Sequence, residues 1–129
     1  MLPAIASYVI TLIVAALMLG VFFAIYTWIT PFDELALIHA GNGAAALSLG
    51  GALFGFALTI ASGIVHNSTV VAFVAWSAGA MLVQISVYAI ASRMLHTMRR
   101  EIEAGNLAMG GFMGTLSLVA GIINAACLS

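Results

Sequence analysis

The chain has 129 residues, of which 64% are hydrophobic and 5% are charged, and its formal net charge at pH 7 is −1. Roughly 25% of the residues in soluble domains are charged, so this composition excludes a water-soluble fold and makes lipid the solvent for most of the surface. The near-neutral charge predicts no nucleic-acid partner, and a single cysteine, Cys127, excludes an intrachain disulfide framework.

Four apolar runs are long enough to cross a bilayer, which takes about 20 helical residues. They lie at about 4–28, 43–65, 69–92 and 107–128, and Asp, Glu, Lys and Arg occur only outside them. The alternating segments of about ten residues that build a membrane β-barrel do not occur. The sequence therefore predicts an all-α integral membrane protein with four transmembrane helices in a single membrane domain, residues 1–129.

The connection between the first two spans contains signals for a short helix. Thr30 is suited to the N-cap and Pro31 to the first helical position, which predicts a helix over about 31–40. Gly41 can adopt the left-handed conformation that ends such a helix, and Asn42 can cap the next span. We expect the short helix to lie at the membrane surface.

A second copy of this corner occurs 64 positions later. The segments IHAGNGA at 38–44 and IEAGNLA at 102–108 share five of seven residues, among them Gly105 and Asn106 in the second copy. This shared signature predicts an internal repeat, in which each unit is a span, a short surface helix, a Gly-Asn corner and a second span. Two spans per unit give both repeats the same orientation, related by a pseudo-two-fold axis along the membrane normal. The two units are residues 1–65 and 66–129.

The only Lys or Arg residues, Arg93, Arg99 and Arg100, all lie between the third and fourth spans. The positive-inside rule places that connection in the cytoplasm and both termini in the periplasm. We also expect Asp33 or Glu34 of the other long connection to lie near Arg99 or Arg100, either within one chain or across a subunit contact; the alternative is that the arginines face anionic lipid headgroups. The aromatic residues predicted for the belts at the membrane surfaces are Tyr8, Tyr26, Trp28 and Tyr88.

Small residues recur at about four-residue spacing in the spans and let helix backbones approach closely in lipid. This spacing favours packing within one bundle, with packing between subunits and a ligand or ion path as the alternatives. A stripe of Ala16, Gly20 and Ala24 marks the first span. The predicted packing residues are Gly51, Gly55 and Gly63 in the second span and Gly110, Gly114 and Gly121 in the fourth.

Two amides lie inside the spans, Gln84 in the third and Asn124 near the outer end of the fourth. An amide in hydrocarbon must find a hydrogen-bond partner or lose several kcal/mol. We interpret both as interhelical hydrogen-bonding groups, with the polar lining of a small-solute path as the alternative. No span has a carboxylate, Lys, Arg or His in its interior, which counts against proton-driven transport.

Three segments together resemble a known family: ITPFDELALIHAGNGAAALSLGGALFGFAL, a mid-span LVQ and the terminal GTLSLVAGIINAACLS. They are similar to the YjfL-like small inner-membrane proteins, a domain of unknown function built from two tandem two-span units. The resemblance implies the bacterial inner membrane and a role in envelope assemblies that respond to membrane stress, and no biochemical activity comes with it. Phe32 and Thr59 depart from the family, where histidine and proline are expected.

No catalytic, cofactor-binding or metal site is predicted, and we expect no enzyme. The run GNGAAA at 41–46 resembles a dinucleotide-binding turn but follows a helix instead of a strand, and the three histidines lack metal-ligand spacing. The leading hypothesis is a non-catalytic module that self-associates as a homo-oligomer and presents its short cytoplasmic helices to the lipid bilayer or to a cytoplasmic or membrane protein partner. The alternative is an oligomeric pore or passive transporter for a small solute, lined by Gln84 and nearby hydroxyls.

Overall fold

The computed structural model describes residues 2–128, and every regular element in that range is a helix. The helices are α1 (Leu2–Ile29), α2 (Glu34–His39), α3 (Gly43–His66), α4 (Val70–Met94), α5 (Met98–Glu103) and α6 (Leu107–Cys127). Helices α1, α3, α4 and α6 are long and apolar enough to cross a membrane, which confirms the all-helical fold with four spans. Met1 and Ser129, the two ends of the predicted domain, lie outside the described residues.

Helices α3 and α6 run in the same direction and form the most closely packed pair. Glycine allows this approach, because a Cβ atom at Gly51 would overlap the backbone of Gly114, and one at Gly121 would overlap the backbone of Gly55. Backbones this close bring Cα–H groups against carbonyl oxygens, and the resulting packing replaces the hydrophobic drive that is missing in lipid. Of the six predicted packing glycines, all but Gly63 lie in this contact.

Helices α1 and α4 pack against α3 more loosely. Helix α1 runs antiparallel to α3 and stacks Phe22 on Phe56, with 4.6 Å between the ring centroids. Gly63 faces α4 instead of α6, and a Cβ atom there would lie 3.0 Å from Cδ1 of Phe73. Most of the α1 surface is exposed, so this helix is the least integrated part of the bundle.

Two side-chain amides link α4 to α6. Gln84 donates from Nε2 to the carbonyl oxygen of Ser117 at 2.8 Å, and Asn124 donates from Nδ2 to the carbonyl oxygen of Ala80 at 3.0 Å. The later residue of α6 thus meets the earlier part of α4, so the two helices are antiparallel. Interhelical hydrogen bonds of this kind contribute about 0.6 kcal/mol each on average in membranes.

The first short helix begins later than the sequence predicts. Helix α2 starts at Glu34 with Asp33 as its N-cap, and Oδ1 of Asp33 accepts a hydrogen bond from the backbone N–H of Ala36 at 3.1 Å. Thr30 is not the cap, because its hydroxyl donates to the carbonyl oxygen of Thr27 at 3.0 Å. The predicted start, three residues earlier, is therefore wrong.

Both long connections end in a Gly-Asn corner. Gly41 has a φ of +89° and Gly105 a φ of +83°, a left-handed conformation that glycine adopts without a Cβ clash. The Oδ1 atoms of Asn42 and Asn106 accept hydrogen bonds from backbone N–H groups in the first turns of α3 and α6. Asn42 also donates from Nδ2 to the carbonyl oxygen of Ile102 at 2.8 Å, which ties the first corner to α5.

Candidate functional site

Glu34 is buried at the end of the bundle that carries α2 and α5. It is 1% exposed, and within residues 2–128 it is the only Asp or Glu that is buried. Neither of its carboxyl oxygens has a hydrogen-bond partner. Since buried polar groups are almost always hydrogen-bonded and a buried unpaired charge is unfavourable, this carboxyl requires a physical explanation.

Two tyrosines lie near this carboxyl, and a serine hydroxyl lies beside one of them. Tyr26 of α1 and Tyr88 of α4 lie with their ring centroids 4.7 Å apart, and Glu34 is close enough to act electrostatically on both. The Tyr26 hydroxyl is 3.4 Å from Oγ of Ser48 on α3, whereas the buried Tyr88 hydroxyl has no hydrogen-bond partner. We call Glu34, Tyr26, Tyr88 and Ser48 the Glu34 site.

Burial raises the pKa of Glu34 to about 7. Removal from water is the largest cause, because it disfavours the charged form. The Thr30 hydroxyl lowers the pKa, and the neighbouring Asp33 carboxylate raises it. Near neutral pH the carboxyl can therefore exchange between its acid and its carboxylate.

A surface cavity of about 540 Å³ lies beside Glu34, and its wall contains this residue, Asp33 and Arg99 of α5. The cavity thus brings the predicted acidic and basic groups together, but the predicted ion pair between them does not form within residues 2–128. Arg99 pairs instead with Glu103 one turn along α5, at 3.4 Å between Nε and Oε1, because residues four apart face each other on a helix. No three His, Cys, Asp or Glu side chains of the described chain come together as a metal site would need.

Two of the four residues predicted for the aromatic belts belong to this interior site instead. Tyr26 and Tyr88 are buried, because Tyr26 shares the inward face of α1 with Phe22 one turn earlier. The belt prediction is therefore wrong for both tyrosines. Trp28 and Tyr8, in contrast, are exposed.

A line of partly unsatisfied polar groups extends from the Glu34 site along α4. Oγ of Ser77, Oε1 of Gln84 and the Tyr88 hydroxyl are all buried without a hydrogen-bond partner. Their spacing of seven and four residues puts them on one face of the helix. We call Ser77, Gln84 and Tyr88 the α4 polar line; of these, only Gln84 was predicted from the sequence to be a polar group inside the bundle.

Sequence reasoning missed the burial of Glu34, because this residue lies outside every apolar run. The available signal was the repeat: 64 positions later stands Met98, which is also the first residue of its short helix and is also 1% exposed. Aligning the two corners would therefore have placed Glu34 at an interior position. Although no span contains a carboxylate, the connection before α2 folds the Glu34 side chain into the bundle.

The fold and the site define a multi-pass integral membrane protein with an acid at one end of its helical interior. Residues 1–128 match the family model described as Domain of Unknown Function (DUF350). The chain therefore belongs to this family, as its motifs suggested.

Curated relatives agree with this assignment. The chain is 35% identical over 112 residues to the UPF0719 inner membrane protein YjfL of Escherichia coli strain K12, and the match covers 87% of this chain and 85% of the relative. The protein of the same name from Escherichia coli O157:H7 matches to the same extent. No solved structure matches the chain. Together with the four apolar helices, these relatives identify a multi-pass inner-membrane protein.

Proposed function

We propose that this protein is a non-catalytic inner-membrane module that self-associates through α1. The stripe of Ala16, Gly20 and Ala24 lies exposed on α1, and a Cβ atom at Gly20 would meet nothing within 4 Å. Stripes of small residues join helices in lipid, and the packing glycines of α3 and α6 already contact each other within the chain. The free stripe is the observation that supports a homo-oligomer with α1 at the subunit contact.

Gly20→Leu should weaken this oligomer by about tenfold or more, the effect of roughly 1.4 kcal/mol, because the leucine holds the two α1 backbones apart. Gly79→Leu on α4 is the matched control, since Gly79 is also exposed with open space beside it. Light scattering in mild detergent and chemical cross-linking in vesicles would measure the oligomer. Equal oligomer populations in the two variants would rule out an α1 interface.

A tandem repeat is the architecture that we propose for the module. Helices α2 and α5 each have six residues and begin at Glu34 and Met98, 64 positions apart. Helices α3 and α6 follow at the same interval and run in the same direction, as a pseudo-two-fold axis along the membrane normal requires. These regularities support two units of the same orientation, residues 1–65 and 66–129.

We propose that α2 and α5 lie at the cytoplasmic surface and that both termini are periplasmic. The support is the distribution of charge, because Arg99 and Arg100 lie in α5 and Arg93 in the last turn of α4, and basic segments remain in the cytoplasm. At this surface the two short helices would meet lipid headgroups or a protein partner. The family resemblance supports a place for such contacts in envelope assemblies that respond to membrane stress.

Single cysteines introduced in a Cys127→Ser background test this topology. In intact cells an impermeant thiol reagent added outside should label Leu2→Cys and Ser68→Cys and should leave His39→Cys and Glu103→Cys unlabelled. All four positions are exposed, so the pattern depends on the side of the membrane and not on burial. Labelling of the last two before the cells are permeabilised would reverse the orientation.

An oligomeric pore or passive transporter for a small solute is the second candidate. The α4 polar line favours it, because buried oxygens without partners are places where water or a polar solute can bind. Release of small solutes from vesicles that contain the purified protein distinguishes this function from the first. Gln84→Leu would slow the release if the line forms the path.

A further inference from the structure

We propose that the Glu34 site binds a proton on the side of the bundle that carries α2 and α5. The proton is held by the Glu34 carboxyl near Tyr26 and Tyr88, and it reaches the carboxyl through the cavity beside Asp33 and Arg99. This inference goes beyond the proposed function, because it holds for a single chain whether or not α1 forms a subunit contact.

The buried carboxyl of Glu34 is more stable as the neutral acid than as the carboxylate. Both oxygens of Glu34 are buried without a hydrogen-bond partner, so the desolvation of the carboxylate is not compensated by an ion pair. Protonation removes this charge and therefore the desolvation penalty that it carries. The neutral acid is therefore the favoured buried state.

The ionisable groups of the helices around Glu34 do not stabilise its charged form. Helices α1 and α4 contribute Tyr26 and Tyr88, which are neutral phenols, and the residue before Glu34 is Asp33, a negative charge. Helix α5 brings Arg99 to the wall of the cavity, but this arginine is paired with an acid of its own helix. Helix α3 has no ionisable residue except His66 at its far end, and α6 has none except Cys127. No cation among these groups holds Glu34 in its charged form.

Packing of the bundle does not need a carboxyl at position 34. Met98 occupies the corresponding position at the start of α5 and is equally buried. An apolar side chain of similar length therefore fills such a place without the desolvation penalty of an acid. Packing therefore does not explain why an acid stands at this position. Binding of a proton does explain it, because a cavity connects the site to the surface.

The cavity beside Glu34 provides a path from the site to the surface. The cavity of about 540 Å³ is lined by Pro31, Asp33 and Arg99 as well as Glu34. Water entering it can deliver or remove the proton without opening the α3–α6 contact. The site can therefore equilibrate with the solution on one side of the membrane.

Dicyclohexylcarbodiimide, which reacts with protonated carboxyls in apolar surroundings, tests the proposal on the full chain in vesicles. Mass spectrometry of the digested protein should find the adduct on Glu34 at about pH 6 and at least about tenfold less of it at about pH 9, since the pKa lies between these values. Glu101→Gln removes an acid of α5 that does not line this cavity, keeps an oxygen that can accept from Asn106, and should leave this labelling unchanged. Glu34→Gln should abolish it.

Asp33→Asn provides a second measurement that does not remove the site. Asparagine caps a helix as well as aspartate does, so α2 is retained while the negative charge beside Glu34 is lost. The midpoint of labelling should then shift to lower pH. Labelling of Glu34 that is absent at every pH, or the same at every pH, would overturn the proposal. Protection by Na⁺ or K⁺ but not by choline at constant pH would overturn it in favour of a metal-cation site.

Discussion

Gly51→Ala should destabilise the bundle by about 1–3 kcal/mol, the usual penalty for overpacking a closely packed contact. The added Cβ atom would overlap the backbone of Gly114, and backbone atoms cannot turn aside as a flexible side chain can. The two helices must therefore separate, and the contacts above and below the substitution are weakened as well.

Gly50→Ala is the control for this prediction, because the two glycines are neighbours on the same helix. A Cβ atom at Gly50 would meet nothing within 4 Å, so the alanine adds only its better helix propensity, up to about 1 kcal/mol. Thermal unfolding in detergent, followed by circular dichroism, should give a lower Tm for Gly51→Ala and an unchanged or higher Tm for Gly50→Ala. Equal Tm values for the two variants would contradict the close α3–α6 contact.

The sequence predicted well those features that depend on neighbouring residues along the chain. Span length follows from hydropathy, and a helix corner follows from one residue that tolerates positive φ and one that accepts backbone hydrogen bonds. The corner at Gly41 and Asn42 could therefore be predicted without knowledge of the fold. The start of α2 was misplaced because Thr30 and Asp33 are both good N-cap residues, and only the structure reveals which side chain is engaged elsewhere.

The choice of helix partners could not be read in the same way. Three spans have stripes of small residues, and spacing alone does not say which two stripes meet. In the structure the stripes of α3 and α6 meet, while that of α1, including Gly20, stays exposed. Hydropathy likewise could not predict the burial of Glu34, because the carboxyl enters the bundle from a connection and not from a span.

The interior of this bundle combines two different kinds of packing. The α3–α6 contact is made from backbone and glycine, and the hydroxyls of Thr59 and Ser62 within it donate to the carbonyl oxygens of Gly121 and Ala125 on α6. On the side of α4, the hydroxyls of Ser77 and Tyr88 and the amide of Gln84 use only part of their hydrogen-bonding capacity. Since unsatisfied buried groups lower stability, we infer that the close α3–α6 contact compensates for a polar interior on the side of α4.

Glu34→Met should stabilise the protein by about 3 kcal/mol at pH 8 relative to the wild type and remove most of the dependence of its stability on pH. The folded state raises the pKa of Glu34 from 4.5 to about 7, so the folded chain binds the proton more tightly than the unfolded chain. The stabilisation from this proton is complete below about pH 4.5 and is lost as the pH rises to about 7, by about 1.4 kcal/mol for each unit of pKa difference. Wild-type stability should therefore be higher at pH 5 than at pH 8.

The methionine in this variant is the residue that already fills the corresponding buried position, at Met98. It keeps the volume of the side chain and removes only the ionisable group, so any gain at pH 8 measures the penalty of the buried carboxylate. Glu101→Gln, which removes an acid of α5 that does not line the cavity, should retain the wild-type dependence on pH. Unfolding curves at pH 5, 6, 7 and 8 for the three proteins make the comparison. A wild type as stable at pH 8 as at pH 5 would mean that the Glu34 carboxylate finds compensation in the folded state, most directly from water entering the cavity beside Arg99.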